Sequence, residues 1–499
     1  MSSPEGNPDR AKNIVRGMGS LTVQNLATSL LGFIFVGALL RLLPQTEYGI
    51  YSAVTLAAGI ATSFAIFGLN TAATRYIAML REKDENASWV AARSVLLLSL
   101  VFTVATAAVF LAISPFLSLY FTKSGSWTWI FLLGGAYLFL ASTSAITQGI
   151  IQGLKRYGAL AKIIAVSRIV MTVFAIAVLE FDRSVAFAMY AWLLYYTIIL
   201  AWTLSLAFTK MVRASGASNY SEIMKYTFPL GVASLVAILS SSADQVVVGG
   251  YLTPSSLAVY NAAITISGVL GVVLVSPLTL ALLPEASSSQ AGSISTALRL
   301  ALRIVTLSLL PAALLMTALA PQLLSLFTGG NGYLTGAGSM ELITSFYFFG
   351  AVQLVALTLL QAMGKTTRVL VVGAISAAVD IAVAVSLVPT LGIFGAATSR
   401  VAVYLISSLL AMYMTKDYLK GLSLRFHLKG VLVAGLPAVL IFAMSQMISS
   451  RMVTLVPYTL LYGVLFLLGL KITRLLTDED RTFIAHILPP SLHRFLKYI

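Results

Sequence analysis

The chain of 499 residues has no cysteine, three histidines and only 10% charged residues. Without cysteine there are no disulfides, thiol nucleophiles or cysteine-based metal centres. His427, His486 and His493 fall in or near terminal, loop-like segments and form no ligand cluster. Acids are scarce, 17 Asp and Glu against 32 Lys and Arg. No HExxH, no Walker-type GxxxxGK[ST] and no closely spaced carboxylate pair occurs. The Gly-rich stretch Thr328–Gly338 lacks the lysine and the strand–loop–helix context of a phosphate loop. These gaps point away from an enzyme, a metal or a cofactor. With no ATP site, energy must come from an ion gradient, the membrane potential or the gradient of the substrate.

What is abundant is apolar sequence: 59% of residues, with a mean hydropathy of +0.93. A soluble domain cannot hide that much apolar surface, so the expected fold class is an all-α polytopic membrane protein. Fourteen apolar runs of spanning length lie between residues 20 and 471. After the ninth, PQLLSLF (Pro321–Phe327) can form a short half-helix before the Gly-rich loop. The net charge of +15 would suggest nucleic acid in a soluble protein. Here the basic residues sit in short loops, so they are read as topology signals and contacts to anionic membrane lipids, with no nucleic-acid partner. With the N-terminus in the cytoplasm, inner segments hold 26 Lys and Arg and outer loops hold four, Arg41, Lys123, Arg183 and Arg451. That asymmetry predicts a multi-pass protein of the cell membrane with both termini cytoplasmic. The polar N-terminus precedes a long first span with no small-residue cleavage site and is read as retained.

The two halves repeat. Leu43–Ala53 (LPQTEYGIYSA) and Leu252–Ala262 (LTPSSLAVYNA) each leave one span and enter the next, with Tyr51 and Tyr260 209 positions apart. Gln152 in Ile150–Arg156 and Gln361 in Leu359–Lys365 have the same offset, 209. Pro115–Thr122 and Pro321–Thr328 match with one residue of slippage. Six spans per repeat is even, so the repeat is parallel, about an axis along the membrane normal. The expected divisions are a cytoplasmic N-terminal segment 1–19, a first six-helix lobe 20–210, a linker 211–225 and a second lobe 226–415. Two extra spans, 416–471, and a cytoplasmic amphipathic tail, 472–499, follow. The tail interleaves apolar and polar residues, as in a helix lying on the inner leaflet and broken at Pro489-Pro490, or in a packed or disordered tail. The repeated turns, Pro44–Tyr48 and Thr253–Ser256, are candidate hinges.

Ionisable groups inside a bilayer are expensive and mark functional sites by default. Arg168 lies near the middle of span 5, too deep to reach the surface easily, and needs a wet cavity, an anion or an acid. Asp244, on span 7, has no obvious partner in sequence and is a candidate for coupling or gating; the plainer alternative is a solvated acid near a helix end, or one satisfied by local hydroxyls. Asp380 and Arg400 sit at matching depths on the hairpin of spans 11 and 12, which suggests a structural ion pair. Arg75, Arg93, Arg299 and Arg303 lie near cytoplasmic span ends, as topology charges or as a basic mouth for a phosphate. Asn25 and Asn70 are candidate polar groups of a cavity.

Several motifs resemble a known family. They are LLPQTEYGIYS after span 1, FGLNTAATRYIA (Phe67–Ala78) in span 2 and QGLKRYG after span 4. SADQVVVGGYLTPSSLAVYNAA covers spans 7 and 8, PLTLALLPEAS ends span 8, LLQAMGKTTR follows span 10 and VDIAVAVSLVPTLGIFGAATSR covers spans 11 and 12. In this order, from residue 12 to 420, they resemble the polysaccharide-biosynthesis flippases of the multidrug/oligosaccharidyl-lipid/polysaccharide exporter superfamily, the Wzx-type proteins. The resemblance implies two six-helix lobes facing a central cavity, with alternating access. It implies a glycan on a polyprenyl phosphate or pyrophosphate, moved from the cytoplasmic to the outer leaflet, and glycan-assembly enzymes as partners. It places Asn25, Asn70, Arg75 and Asp244 near the cavity, and a lipid-facing groove at the last two spans. Asp380 departs from it, standing where the resemblance implies a neutral polar residue.

Two other classes compete. A cation-coupled drug antiporter on the same fold needs acids deep in the first lobe, and the first six spans have none; Arg168 would repel a cation. A non-transporting partner of a membrane glycosyltransferase is the other. For a flippase, H+ or Na+ is the candidate coupling ion, taken up at Asp244.

Overall fold

The computed structural model describes residues 28–216, 220–280, 282, 291–330, 332–419, 421–447 and 452–476. The N-terminal segment, Asn25, Pro489-Pro490 and nearly all of the tail lie outside the described residues. Among the described residues there is no strand. Among the described residues, twelve helices are long and apolar enough to cross a membrane, or thirteen if Tyr333–Ser345 and Tyr347–Ala362, bent by 45°, count as one span. The first expected span is described only from Thr28, as the shorter apolar helix Thr28–Leu42. The all-helical polytopic fold is the one composition demanded.

Two compact units divide at Ala258 and Val259. The first holds α1 (Thr28–Leu42), α2 (Gln45–Ile66), α3 (Leu69–Arg81), α4 (Glu85–Thr122), α5 (Thr128–Gly153), α6 (Tyr157–Leu179), α7 (Val185–Arg213) and α8 (Tyr220–Tyr251). Helix α8 packs along α2, α3 and α4. The compact units follow packing and the sequence repeat follows duplication, so the two divisions need not coincide. The boundary falls within the first turn or so of α9 (Pro254–Leu280). The second unit continues with α10 (Ile294–Ala318), α11 (Ala320–Thr328), α12 (Ala337–Ser345), α13 (Tyr347–Ala362), α14 (Thr366–Leu391), α15 (Ile393–Met414), α16 (Leu424–Met447) and α17 (Leu455–Thr473). Helices α14 and α15 form a close hairpin, α15 packs on α12 and α13, and α16 lies against α10 and α17.

Helix ends follow local chemistry. The Asn86 N–H donates to the Asp84 carboxylate at 2.8 Å, capping α4, and Lys123 ends it in the left-handed region at φ 58°. Inside the helices, hydroxyls donate back to carbonyls one turn earlier, as Ser94 does to Val90 and Ser167 to Ile163, both at 2.7 Å. Such bonds satisfy polar groups where no water reaches.

The span expected over 48–76 is present as one candidate span, Gln45–Arg81, whose helical ladder is interrupted inside it. Phe67 and Gly68 both have positive φ, 40° and 76°, so the α2 ladder stops and α3 restarts one residue later. Against this break α8 carries Pro229, which removes one N–H from its own ladder. A Cβ on Gly68 would lie 2.9 Å from Leu230 Cβ and 3.0 Å from the Gly231 nitrogen. Only glycine fits both that backbone conformation and that approach. Gly68→Ala should therefore cost about 1–3 kcal/mol of stability. Gly59→Ala, where nothing lies within 4 Å, is the control, and thermal unfolding of the detergent-solubilised protein measures both. An unchanged midpoint for Gly68→Ala would contradict the interlocked break.

Candidate functional site

Arg168 lies on α6 among side chains of the first unit. Its guanidinium carbon lies 5.0 Å from the ring centre of Trp192, 5.5 Å from Tyr195 and 5.7 Å from Phe35. Trp192 and Tyr195 lie on α7, three residues apart and so on one face of the helix, and Phe35 lies on α1. A second layer of rings fixes the first. The Trp192 indole N–H donates to the Tyr51 hydroxyl at 2.8 Å, and Trp192 stacks on Tyr196 with centroids 5.6 Å apart. Tyr137 of α5 meets both Trp192 and Tyr196 edge to face. Tyr51 is the tyrosine of the repeated turn, so the duplicated motif also orients the cage.

Cation–π contact is worth about 0.5–2 kcal/mol per favourable ring. It steadies the charge but uses none of its five N–H donors. Among the described residues, the guanidinium Nη1 lies 3.5 Å from the Met171 sulfur, and its buried Nε has no hydrogen-bond partner. Among the described residues no carboxylate pairs with it; Lys155–Glu82 and Lys210–Glu85 are ion pairs elsewhere in the unit. The result is a half-buried cation with open donors and no carboxylate against it among the described residues. Chemically it suits a phosphate or carboxylate. The sequence pointed to Arg168 but not to its cage. The WLLYY run (Trp192–Tyr196) carried the missed signal, with aromatics at positions i, i+3 and i+4.

The other expected residues divide among local roles. Arg75 is exposed and stacks over Tyr226 at 4.3 Å. Arg93 donates to the Ala214 carbonyl at 2.8 Å, tying α4 to the end of α7. The Asn70 side-chain oxygen accepts the Thr71 N–H at 2.8 Å at the start of α3. Asp244 is fully buried, and its carboxylate accepts the Gln245 N–H at 2.8 Å. In the second unit, Arg299 donates to Thr296 at 3.2 Å and Arg303 stacks over Phe426 at 4.6 Å, one helical turn apart. Asp380 is buried and accepts the Ser399 hydroxyl, which also donates to the Asp380 carbonyl at 2.9 Å. Arg400 follows Ser399 on α15.

The turn after α1 packs directly on the turn after α8. The Thr46 and Ser255 hydroxyls are 3.0 Å apart, and the Gln45 amide donates to the Ser255 carbonyl at 3.3 Å. Thr46 and Ser255 are separated by 209 positions, the repeat offset, so equivalent residues touch. A Cβ on Gly49 would fall 1.9 Å from the Pro254 carbonyl oxygen, so the backbones are in contact. At the same end Lys123 donates to the carbonyls of Gly249 and Gly250, neutralising the C-terminus of α8. An apolar cavity of about 620 Å³ lies between α2, α4 and α8, with Phe64 and Phe116 exposed at its walls.

Comparison with known proteins agrees with this architecture. The profile of the polysaccharide biosynthesis protein family matches residues 14–290. The chain belongs to that family. The MatE family profile matches residues 229–386 of this family member. No curated protein sequence matches. Among solved structures, the inward closed conformation of the lipid II flippase MurJ superposes with a TM-score of 0.74 at 13% identity, over 90% of this chain and 98% of that one. An inward-facing multidrug resistance MATE transporter of the MOP superfamily gives 0.64 at 14% identity, over 80% and 98%. A MOP superfamily transporter from Pyrococcus furiosus, described as having a binding pocket of reverse polarity, gives 0.57 at 16% identity, over 81% and 96%. These likenesses establish the fold of the family member.

The chain contains no cysteine, so the paired turns can be probed directly. The double variant Thr46→Cys/Ser255→Cys should cross-link on mild oxidation, seen as loss of thiol labelling that returns with reductant. Persistent labelling of both thiols would show that the turns do not stay together.

Proposed function

We propose that the protein is a flippase that moves a lipid-linked oligosaccharide, on a polyprenyl phosphate or pyrophosphate, from the cytoplasmic to the outer leaflet by alternating access. The observation that carries this reading is Arg168, a cation on an apolar candidate span, held over three rings with no acid partner among the described residues. A phosphorylated headgroup cannot cross hydrocarbon unaided, because each unpaired charge there costs several kcal/mol. A guanidinium with open N–H donors lowers that barrier for an anion and raises it for a cation. Family membership and the flippase fold among its structural neighbours support the same reading. The cation antiporter shares the fold, but Arg168 opposes it.

In this reading both termini are cytoplasmic, following the distribution of basic loops, and the membrane is the cell membrane. The paired turns at Thr46 and Ser255 then close the outer end, and opening outward requires them to part. The apolar cavity beside α2 and α4 offers room for part of a prenyl chain. Asp244 is the candidate for taking up H+ or Na+, and Arg75, Arg299 and Arg303 for attracting phosphate on the cytoplasmic side. Asp380 and Arg400 form a structural ion pair in this reading, and enzymes of glycan assembly are the partners that supply the substrate.

Arg168→Ala should reduce flipping of a labelled lipid-linked glycan in proteoliposomes by on the order of 30- to 1,000-fold, the loss of about 2–4 kcal/mol from a half-buried charge contact. Arg168→Lys keeps the charge but not the planar fork and should retain part of the rate. Full activity in the Ala variant removes Arg168 from the mechanism. One charge moving through 100 mV supplies about 2.3 kcal/mol. Asp244→Asn should therefore flip at a rate that no longer responds to the ion gradient, measured in the same vesicles with and without an ionophore; a full response rules out Asp244 as the coupling group.

A further inference from the structure

The second unit has a cavity that the flippase reading does not use. It measures about 460 Å³ and lies between α10, α12, α15 and α16. Its polar side chains are Glu341, Thr317 and Ser345; the rest of the wall is apolar or glycine. Glu341 is on the second turn of α12, about 6 Å along the helix from its start at 1.5 Å per residue. Glu341 thus lies in the first half of the bent candidate span Tyr333–Ala362, near one of its ends. No basic side chain lines the cavity, and among the described residues no hydrogen bond or ion pair is made by the Glu341 carboxylate. Its backbone carbonyl, by contrast, accepts the Ser345 hydroxyl at 2.7 Å. The Thr317 hydroxyl lies 2.9 Å from that of Thr344, and the Ser345 hydroxyl oxygen lies 3.3 Å from that of Thr317. The hydroxyls are therefore held in place, with lone pairs to spare.

At the mouth, Phe394 is 45% exposed and Val439 is 67% exposed. In a membrane these side chains face lipid. The cavity is thus an anionic, hydroxyl-lined recess with an apolar rim that opens toward the acyl chains. It has room for about 15 water volumes of 30 Å³, too wide for three oxygens to close around a bare metal ion. Charge and shape together fit a small organic cation attached to a chain.

We propose that this recess binds the primary ammonium headgroup of an aminophospholipid, with the ammonium on Glu341, Thr317 and Ser345 and the chains along the exposed faces of α15 and α16. The bend of 45° between α12 and α13 begins immediately after Ser345. A headgroup seated beside α12 braces that half-helix against α16. The inference concerns lipid retention and stands apart from the transport reading, so either can fail alone.

The test uses the full chain in detergent, incubated with phosphatidylethanolamine or phosphatidylglycerol and analysed by native mass spectrometry. Phosphatidylethanolamine should remain bound under conditions that strip phosphatidylglycerol. Glu341→Gln should weaken that retention by about tenfold or more, as expected when one partner of a charge contact is removed. Val439→Trp, which fills the mouth at an exposed position, should do the same with Glu341 intact and guards against misfolding of the first variant. Retention of both lipids alike, or undiminished retention in both variants, overturns the proposal. Displacement of the lipid by sodium alone, at equal ionic strength with choline, would identify a metal-cation site instead and would also overturn it.

Discussion

A half-buried guanidinium that meets no carboxylate among the described residues is the constraint around which the first unit is organised. Nothing in a helical bundle requires Arg168; its desolvation is unfavourable, and packing would be served as well by leucine. The surrounding residues make it tolerable. Three rings face the charge, and a second shell, through the bond from Trp192 to Tyr51, holds those rings at the required angle. Five helices, α1, α2, α5, α6 and α7, contribute to the group. Elsewhere the rule for polar atoms is to bond within their own helix, as the Ser94 and Ser167 hydroxyls do. Arg168 departs from that rule, and the departure marks the site.

The break in the second span answers a different demand. A long helix that must both line the unit and reach its far end cannot stay straight beside α8. Phe67 and Gly68 turn it, and the Pro229–Gly231 region of α8 receives the turn. Two weakened ladders therefore sit against each other at one depth. Bending is easiest there, because few intrahelical bonds need to break. The ends of the same helices are tied more firmly, by the turn contacts at Thr46 and by Lys123 on the carbonyls of α8.

Much of the fold was legible because a bilayer allows so few solutions. Long apolar runs must be helices, and the Lys and Arg distribution orders them. The site was legible only in part. A lone arginine in span 5 stands out against its neighbours, so Arg168 could be singled out from sequence. The rings around it could not, since Phe35, Tyr51 and Tyr137 come from distant segments and aromatics in membrane helices usually only fill space. Glu341 is silent in the sequence for a related reason: it lies at the edge of an apolar run, where an acid looks solvated, and only the packing of α16 across it creates a recess. Phe67-Gly68 carried no proline to announce the break; the left-handed conformation is chosen by contact with α8.

The contact between Thr46 and Ser255 has a historical reading. Equivalent positions of a repeat can touch only where the axis relating them passes. In a chain of half this length, paired with its own copy, the same hydroxyl would meet itself across a twofold axis, the isologous contact of a symmetric dimer. Fusion of two such chains keeps that contact and frees each side to vary separately. Here one side is threonine and the other serine, the smallest divergence that preserves two hydroxyls. Two hydrogen bonds, one between the Thr46 and Ser255 hydroxyls and one from Gln45 to the Ser255 carbonyl, hold these equivalent turns together.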